Sequence, residues 1–184
     1  MTGVQTCALP IYDPMMGVSY AMDPTPGRHT ISASVYYNVS GIWNLVPWAP
    51  PIRGVYSKKV EYEDSDQEAL KSLAFSLLKQ VLDAAGGCLF AVTTGLKNWP
   101  IFEWLNAATG YDRTPSEWLE AGREIQKLRY EFNAKHGIDS QKIFVHPRIF
   151  GDEALTSGPL KGRKVPLKAL VSKIIHVVRN GWDS

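Results

Sequence analysis

The chain has 184 residues, of which 45% are hydrophobic and 21% are charged. This is the ordinary composition of one globular domain with a sizeable core, and it is unlike that of a disordered chain. The formal net charge is only +2 and the basic residues are scattered, so the sequence does not predict nucleic-acid binding. No apolar run approaches the roughly 18–20 residues that a membrane-spanning helix needs. Two cysteines, Cys7 and Cys88, are too few for a disulfide framework, and they fit a reducing, cytoplasmic setting.

Residues 1–11 are treated separately from the rest. They read MTGVQTCALPI, which resembles the translation of a sequencing-library adapter. A signal peptide would carry a basic stretch before its apolar part, and none is present here. We therefore interpret residues 1–11 as non-native and expect the native sequence to begin, mid-protein, at Tyr12, with Cys88 as its only genuine thiol.

Residues 12–64 are predicted to be loop-rich. Prolines and glycines recur over residues 12–30, and this stretch contains Gly27-Arg28-His29, where a histidine and an arginine share a glycine–proline loop. Binding and catalytic groups are often carried on such loops, although a lone loop histidine is more often a solvated surface group. Over residues 31–64 no period is sustained, and we expect irregular structure with room for one short helix.

Residues 65–184 are predicted to form a helical domain that is cut short at its end. Hydrophobic periodicity and helix start and stop signals predict four main helices, over residues 65–85, 100–109, 115–136 and 166–180. Capping boxes mark two of the starts, one formed by Ser65 and Glu68 and the other by Thr114 and Glu117. Residues 138–164 are expected to form a long loop. The predicted class is all-α, an irregular helical domain with long loops.

The apolar positions of these helices define their predicted buried faces. The first helix is expected to hold on its other faces Lys71, Lys79 and Gln80. The third helix is expected to have a solvated side with Arg123, Lys127 and Glu131, and an inner side with Trp118, Leu119, Gly122, Ile125, Leu128 and Phe132. The last helix is expected to bury Leu167, Leu170, Val171, Ile174, Ile175 and Val178.

The end of the first helix carries an unusual stretch, Asp83-Ala84-Ala85-Gly86-Gly87-Cys88. An acid there opposes the helix macrodipole, which costs roughly 0.3–1 kcal/mol if nothing offsets it. Gly86 can adopt the left-handed cap conformation, and two consecutive glycines let a backbone approach a bulky group closely. We interpret the stretch as a cofactor-facing corner. The alternative, which base rates favour, is that Asp83 points to water and Cys88 is a small core residue.

Common catalytic motifs are missing from the sequence. There is no G-x-S-x-G, no H-E-x-x-H, no glycine-rich phosphate loop and no C-x-x-C. The histidines at positions 29, 136, 146 and 176 are too scattered to give metal-ligand spacing. Residue chemistry alone therefore predicts a helical module with one unusual corner.

Several short segments nevertheless follow one another in an order typical of one enzyme family. They are Tyr12-Asp13-Pro14 with Gly17-Val18-Ser19-Tyr20-Ala21 and Gly27-Arg28-His29, then Asp83 to Cys88, Thr109-Gly110-Tyr111-Asp112 with Thr114-Pro115, Gly122-Arg123 with Phe132-Asn133, Gly158-Pro159-Leu160-Lys161-Gly162, and Gly181-Trp182-Asp183. From Tyr12 to Asp183 the chain resembles the C-terminal part of the aldehyde ferredoxin oxidoreductase family, the tungsten- or molybdenum-pterin enzymes. On this resemblance, residues 12–64 belong to the family's middle and C-terminal helical domains and residues 65–184 to its C-terminal helical domain.

The resemblance implies a specific chemistry. Family members oxidise an aldehyde, with water, to a carboxylic acid and pass the electrons through a [4Fe–4S] cluster to ferredoxin. Cys88 matches the fourth cysteine of that cluster, and iron–sulfur clusters are held by cysteine thiolates. Asp83 matches the acid that hydrogen-bonds a pterin, next to which Gly86 and Gly87 would let main-chain groups come close. His29 matches a position near the substrate, where an imidazole can relay a proton or orient water. The tungsten or molybdenum itself would be held by sulfurs of two pterins.

The chain also departs from the family pattern. Gly87 stands where the family has leucine, and the three earlier cluster cysteines, the N-terminal pterin-binding domain and the tail after Gly181-Trp182-Asp183 are absent. We therefore expect a fragment that is inactive alone and prone to aggregation, because apolar surface meant to be covered would be exposed. For the full-length enzyme the expected partners are ferredoxin and an aldehyde, a homo-oligomer is compatible, and neither nucleic acid nor a membrane is expected.

Two alternatives remain open at this point. The first is a fragment of the catalytic subunit of a tungsten-dependent aromatic-ring reductase, from the same superfamily. The second is a non-enzymatic helical interaction module in which Asp83 and Cys88 are ordinary structural residues. Convergence of Asp83, Cys88 and His29 on one open face would favour an enzyme, whereas a Cys88 sealed in apolar packing would favour the interaction module.

Overall fold

The structure of the chain is a computed structural model, which describes residues 13–25, 34–52, 62–139, 147, 153–159 and 161–181. Within these ranges the chain forms α-helices and 3₁₀ helices and no β-strand, which confirms the all-α class. The α-helices are α1 (Pro14–Met22), α2 (Ser34–Ser40), α3 (Asp66–Ala84), α4 (Ile101–Thr109), α5 (Pro115–Lys135) and α6 (Leu167–Asn180). The 3₁₀ helices are Ile42–Asn44 and Leu89–Thr94.

Helix α1 lies in a stretch that the sequence predicted to be turn-rich, so that prediction was wrong for residues 14–22. The Asp13 side chain accepts a hydrogen bond from the Met16 N–H (3.2 Å), and Pro14 takes the first helical position. Both are favourable ways to start a helix. All residues of α1 except Met16 are buried, so the helix has no polar face. Periodicity therefore missed it, because a helix buried all round shows no amphipathic pattern.

Helix α3 is the centre of the fold, and it packs against α1, α2, α5 and α6. Its start is as predicted, because Ser65 Oγ accepts a hydrogen bond from the Glu68 N–H (3.1 Å). Two predicted surface positions are buried instead, since Lys79 is only 4% exposed and Gln80 only 1%. With neighbours on several sides, α3 has little solvent face to which polar side chains could be assigned.

Helix α5 lies along α3 and meets it at a close crossing. Its start is the predicted capping box, in which Thr114 and Glu117 hydrogen-bond each other's backbone N–H. A Cβ added at Gly122 would lie 2.5 Å from the Leu77 carbonyl oxygen of α3. Only glycine fits this contact without moving a backbone.

The buried face of α5 differs from the predicted one. Leu128 and Phe132 are each 62% exposed, whereas Gln126 and Tyr130 are buried. The two polar side chains can lie inside because they hydrogen-bond there, Gln126 Nε2 donating to Tyr130 Oη at 3.0 Å. Arg123 was predicted to be solvated, but its side chain is only 11% exposed and its Nη1 donates to the Val178 carbonyl oxygen of α6 (2.8 Å).

Helix α6 follows its prediction closely. All of its predicted buried residues are buried, and they are Leu167, Leu170, Val171, Ile174, Ile175 and Val178. His176 is exposed and its Nδ1 lies 3.1 Å from Nδ2 of Asn180. Among the described residues, no helix combines the length and the apolar character that crossing a bilayer requires.

Candidate functional site

The corner after α3 is built as a helix end with two glycines. Gly86 has a φ of +70°, in the left-handed region. Its N–H donates to the Asp83 carbonyl (3.2 Å), and the Gly87 N–H donates to the Leu82 carbonyl (2.7 Å). This pair of bonds is the Schellman arrangement, which satisfies two carbonyls that a helix end leaves open. The predicted cap conformation of Gly86 is therefore confirmed.

The Asp83 carboxylate, which is 37% exposed, forms an ion pair with Lys79 one turn earlier on α3. The Lys79 ammonium is buried and offsets the repulsion between Asp83 and the negative end of the helix dipole. The Asp83 carboxylate thus has a partner within the chain that offsets its unfavourable position, and this pair was not predicted because Lys79 was assigned to another face of the helix.

Cys88 is a free and exposed cysteine. It is the N-cap residue of the 3₁₀ helix Leu89–Thr94, in which Leu89 and Val92 are buried. The thiol is thus presented outward on a backbone that is anchored in the core directly after it. The alternative in which Cys88 is a small core residue was wrong.

The two glycines of the corner have different surroundings. No atom lies within 4 Å of a Cβ built on Gly86, so the main chain is open there. A Cβ built on Gly87 would lie 3.1 Å from Cη2 of Trp99 and 3.3 Å from the Leu82 carbonyl oxygen. Close approach of a cofactor stays a prediction for both glycines, but at Gly87 the space of a side chain is already taken by Trp99.

The loop Gly27-Arg28-His29 lies outside the described residues, so its relation to the corner is untested. The segment just before it is held by α5 through three side chains. Tyr130 Oη donates to the Met22 carbonyl, Asn133 Nδ2 donates to the Pro24 carbonyl (2.7 Å), and Arg129 Nη2 donates to Thr25 Oγ1 (3.2 Å).

These bonds continue into α3. Arg129 Nη1 donates to Gln80 Oε1 (2.6 Å), and Ser76 Oγ donates to Gln126 Oε1 (3.0 Å). One polar network therefore connects α3, α5 and residues 22–25. Polar residues at i, i+4 spacing within an apolar face (Gln126 and Tyr130) were the signal in the sequence that could have revealed it.

Other segments of the resemblance are structural where they are described. Gly110 ends α4 with a φ of +74°. Asn106 then holds the turn, because its Oδ1 accepts hydrogen bonds from the Arg113 N–H (3.1 Å) and the Trp118 Nε1–H (2.8 Å). The Tyr20 hydroxyl of α1 is buried, and within the described ranges it has no hydrogen-bond partner. Trp182 and Asp183 lie outside those ranges.

The corner fits an iron–sulfur site only in part, because it offers one cysteine thiol. No group of three histidine, cysteine or acidic side chains is arranged to hold a metal ion in the parts of the chain that the structure describes. An exposed thiol on an anchored backbone has the donor chemistry and the access that a cluster iron requires. A carboxylate and an open glycine main chain beside it offer acceptors for the N–H groups of a pterin.

The family model described as "Aldehyde ferredoxin oxidoreductase, domains 2 & 3" matches residues 2–184. This match includes most of residues 1–11, whose interpretation as non-native stays a prediction, as does the division at residues 64 and 65. Similar proteins are the tungsten-containing aldehyde ferredoxin oxidoreductases of Pyrococcus horikoshii, 32% identical over 98% of this chain, and of Thermococcus kodakarensis, 32% identical over 97%.

The same relationship holds for the tungsten-containing aldehyde ferredoxin oxidoreductase of Pyrococcus furiosus, 31% identical over 97% of this chain. The chain spans 28% of the length of each of these relatives. A family match over nearly the whole chain agrees with the helical fold and with the order of the sequence segments. The chain belongs to the aldehyde ferredoxin oxidoreductase family.

Proposed function

We propose that this chain is the part of an aldehyde-oxidising enzyme that supplies the last cysteine of a [4Fe–4S] cluster and one carboxylate of a pterin site. The full enzyme would convert an aldehyde and water to a carboxylic acid and pass two electrons to ferredoxin. The observation that carries the proposal is the corner itself, where an anchored backbone presents an exposed Cys88 thiol five residues after the accessible Asp83 carboxylate. Membership of the family supports the reaction class.

Each residue has a defined task in this proposal. Cys88 donates one thiolate to the cluster, Asp83 accepts hydrogen bonds from a pterin, and Gly86 leaves the main chain open beside it. His29, near the substrate, orients water or relays a proton at its imidazole nitrogen. When bound, the metal–pterin group supplies the two-electron redox chemistry of the reaction, and the cluster carries the electrons away.

The metal in the proposed site is tungsten, because the relatives named above are described as tungsten-containing. Molybdenum remains the alternative. The enzyme would work in the cytoplasm, where ferredoxin is the acceptor.

The 184-residue polypeptide alone is proposed to be inactive. A [4Fe–4S] cluster takes four cysteine thiolates, and the whole chain has two cysteines. A cluster that uses Cys88, with Cys7 set aside as non-native, would therefore take its other three thiolates from outside residues 12–184.

Metal analysis tests the proposal directly. The 184-residue polypeptide is expected to contain no stoichiometric iron or pterin. A polypeptide extended by the upstream coding sequence is expected to bind four iron atoms per chain, and Cys88→Ser is expected to abolish the reduced-cluster electron paramagnetic resonance signal. His176→Ala, at an exposed histidine far along the chain, is the control and should retain the signal.

Four outcomes would contradict the proposal. The cluster assignment is wrong if the upstream sequence carries no cysteines, or if Cys88→Ser keeps its iron. Activity of the extended enzyme on an aromatic ring, and none on aldehydes, would favour the aromatic-ring reductase. Iron-free extended protein of full helical content would favour an interaction module.

A further inference from the structure

A second residue determines how the corner presents its thiol, and it lies in a different element. Gly87 is not among the glycines with a left-handed φ, so its conformation does not require glycine. The surroundings of Gly87 favour glycine instead, since a Cβ at this position would lie 3.1 Å from Cη2 of the Trp99 ring. A contact of 3.1 Å is too close for a relaxed Cβ, so a side chain at position 87 would require the Trp99 ring to shift.

Trp99 is itself fixed on both sides. Its N–H donates to the Gly95 carbonyl (3.0 Å), and its carbonyl accepts from the Ile101 N–H at the start of α4 (2.8 Å). Its ring meets Trp104 of α4 edge to face, with centroids 5.4 Å apart and an interplanar angle of 85°. Such pairs add about 0.5–1.5 kcal/mol beyond the burial of their area. The Trp99 backbone is therefore held by two hydrogen bonds, and its ring is held beside Gly87 by the contact with Trp104.

The Trp99 ring lies where a helix end of this kind usually has an apolar contact between two of its own side chains. In the Schellman arrangement, the residue after the left-handed glycine commonly makes an apolar contact with the residue five positions earlier. Here those residues are Gly87 and Leu82, and glycine has no side chain to make the contact. A Cβ at position 87 would lie 3.5 Å from Cδ2 of Leu82, so Trp99 borders the space where that contact would form.

We propose that Trp99 is a positioning residue for the Cys88 thiol, holding the Gly87 backbone against the end of α3 so that residue 88 projects outward. Leu89 is buried directly after Cys88, so residue 88 is fixed from both sides. The inference rests on the proposed function for its purpose, since a cluster ligand must be held in one direction. The packing itself can be tested without a cluster.

The test uses the chain with Cys7→Ser, which leaves Cys88 as the single thiol. Amide hydrogen exchange reports the Gly87 N–H, which is bonded to the Leu82 carbonyl (2.7 Å). Trp99→Ala is expected to raise exchange at Gly87 at least tenfold and to raise the rate of Cys88 alkylation by iodoacetamide several-fold. Tyr111→Ala, at an aromatic residue that is 55% exposed and lies outside the contact between Trp99 and Trp104, is the control and should change both rates less than twofold.

A compensating pair gives the decisive result. Gly87→Leu alone is expected to loosen the corner, because the new side chain and the Trp99 ring need the same space. Gly87→Leu combined with Trp99→Ala is expected to restore the slow exchange and the alkylation rate, since a leucine can then reach Leu82. A general loss of packing would not be rescued by a second substitution.

Two results would overturn the inference. One is equal exchange at Gly87 in Trp99→Ala and Tyr111→Ala, and the other is a double variant no better than Trp99→Ala. If Trp99→Ala does not fold, Trp99→Phe, which keeps an aromatic ring, must still show faster exchange at Gly87 than the control. The iron content of the extended Cys88→Ser protein tests the cluster assignment separately. If that assignment fails, the effect of Trp99→Ala on exchange at Gly87 can still be interpreted.

Discussion

At the scale of single residues, Asp83 has two tasks that experiments must separate. It is the proposed pterin acceptor, and it is also the ion-pair partner of Lys79, which is buried. Buried ammonium groups are tolerated only when they are paired. A variant of Asp83 that loses its cofactor could therefore have lost it through instability rather than through a missing hydrogen bond.

A pair of substitutions separates these effects. Asp83→Asn is expected to lower the free energy of unfolding by about 1–2 kcal/mol, because the Lys79 charge stays buried without its partner and Asp83 is itself partly exposed. Lys79→Met is expected to change it by less than about 1 kcal/mol, because methionine fills similar space and water can solvate Asp83. Urea unfolding measures both changes.

The control for this pair is Asp112→Asn, at an exposed aspartate outside the corner. Equal stability of Asp83→Asn and Asp112→Asn would show that Lys79 does not depend on its partner. Loss of pterin in the extended enzyme with Asp83→Asn, together with retention in Lys79→Met, would assign the carboxylate to the cofactor.

At the scale of elements, α5 connects both sides of the candidate site. It packs along α3, which ends in the corner, and it binds the carbonyls of Met22 and Pro24, which precede the Gly27–His29 loop. Tyr130 is the buried centre of this connection, since it accepts from Gln126 and donates to Met22. Burial raises the pKa of the Tyr130 hydroxyl well above that of a free tyrosine.

Removing this hydroxyl is expected to destabilise the fold. Tyr130→Phe leaves Gln126 Nε2 and the Met22 carbonyl without this partner, which should lower the free energy of unfolding by about 1–3 kcal/mol at pH 7. Tyr111→Phe, at a tyrosine that is 55% exposed, is the matched control and should change it by less than about 0.5 kcal/mol. Chemical denaturation compares the two, and equal losses would show that the network does not depend on the hydroxyl.

The stability difference between the wild type and Tyr130→Phe is expected to decrease at high pH. In the unfolded chain Tyr130 ionises near pH 10, about the value for a free tyrosine, whereas in the fold it stays protonated to higher pH. Its contribution is complete below about pH 10 and is lost as the pH rises further, by about 1.4 kcal/mol per pH unit. The stability gap between the wild type and Tyr130→Phe should therefore close above pH 10, and a constant gap up to pH 11 would contradict the assigned cause.

The helices that could be predicted from the sequence are those that bury only one face. Helix α6 was predicted residue by residue, because its apolar positions form a single stripe and its other face is polar. Helix α1 was missed because it is buried all round, and the inner face of α5 was misplaced because Gln126 and Tyr130 are polar and lie inside. At the corner the cap of Gly86 was predictable from its residue type, whereas Lys79 and Trp99 depend on tertiary contacts that no local pattern contains.

At the scale of the whole molecule, the chain exposes large apolar side chains on several elements. They are Val35, Val39, Phe90, Trp104, Tyr111, Leu128, Phe132 and Ile138. Leu128 and Phe132 are four residues apart on α5 and form part of one exposed side. Exposed apolar patches mark either contact surfaces or sites of aggregation. Since the chain spans 28% of the length of its relatives, this side of α5 is a candidate both for a contact surface and for a site of aggregation.

Replacing Leu128 and Phe132 distinguishes a contact surface from a site of aggregation. Leu128→Lys combined with Phe132→Glu adds no net charge and places opposite charges at i, i+4. In the 184-residue polypeptide the double variant is expected to raise the soluble concentration several-fold and to change the free energy of unfolding by less than about 1 kcal/mol, as is usual at exposed positions. Leu119→Lys, at a leucine that is fully buried on the same helix, is the control and should prevent folding.

The extended polypeptide then gives the informative comparison. If the remainder of the enzyme covers this side of α5, the double variant should lower the yield of iron-containing protein there, although it improves the 184-residue polypeptide. A double variant that behaves alike in both polypeptides would show that this side of α5 faces solvent in the complete enzyme. A double variant as damaging as Leu119→Lys in the short polypeptide would show that Leu128 and Phe132 are needed for the helical fold itself.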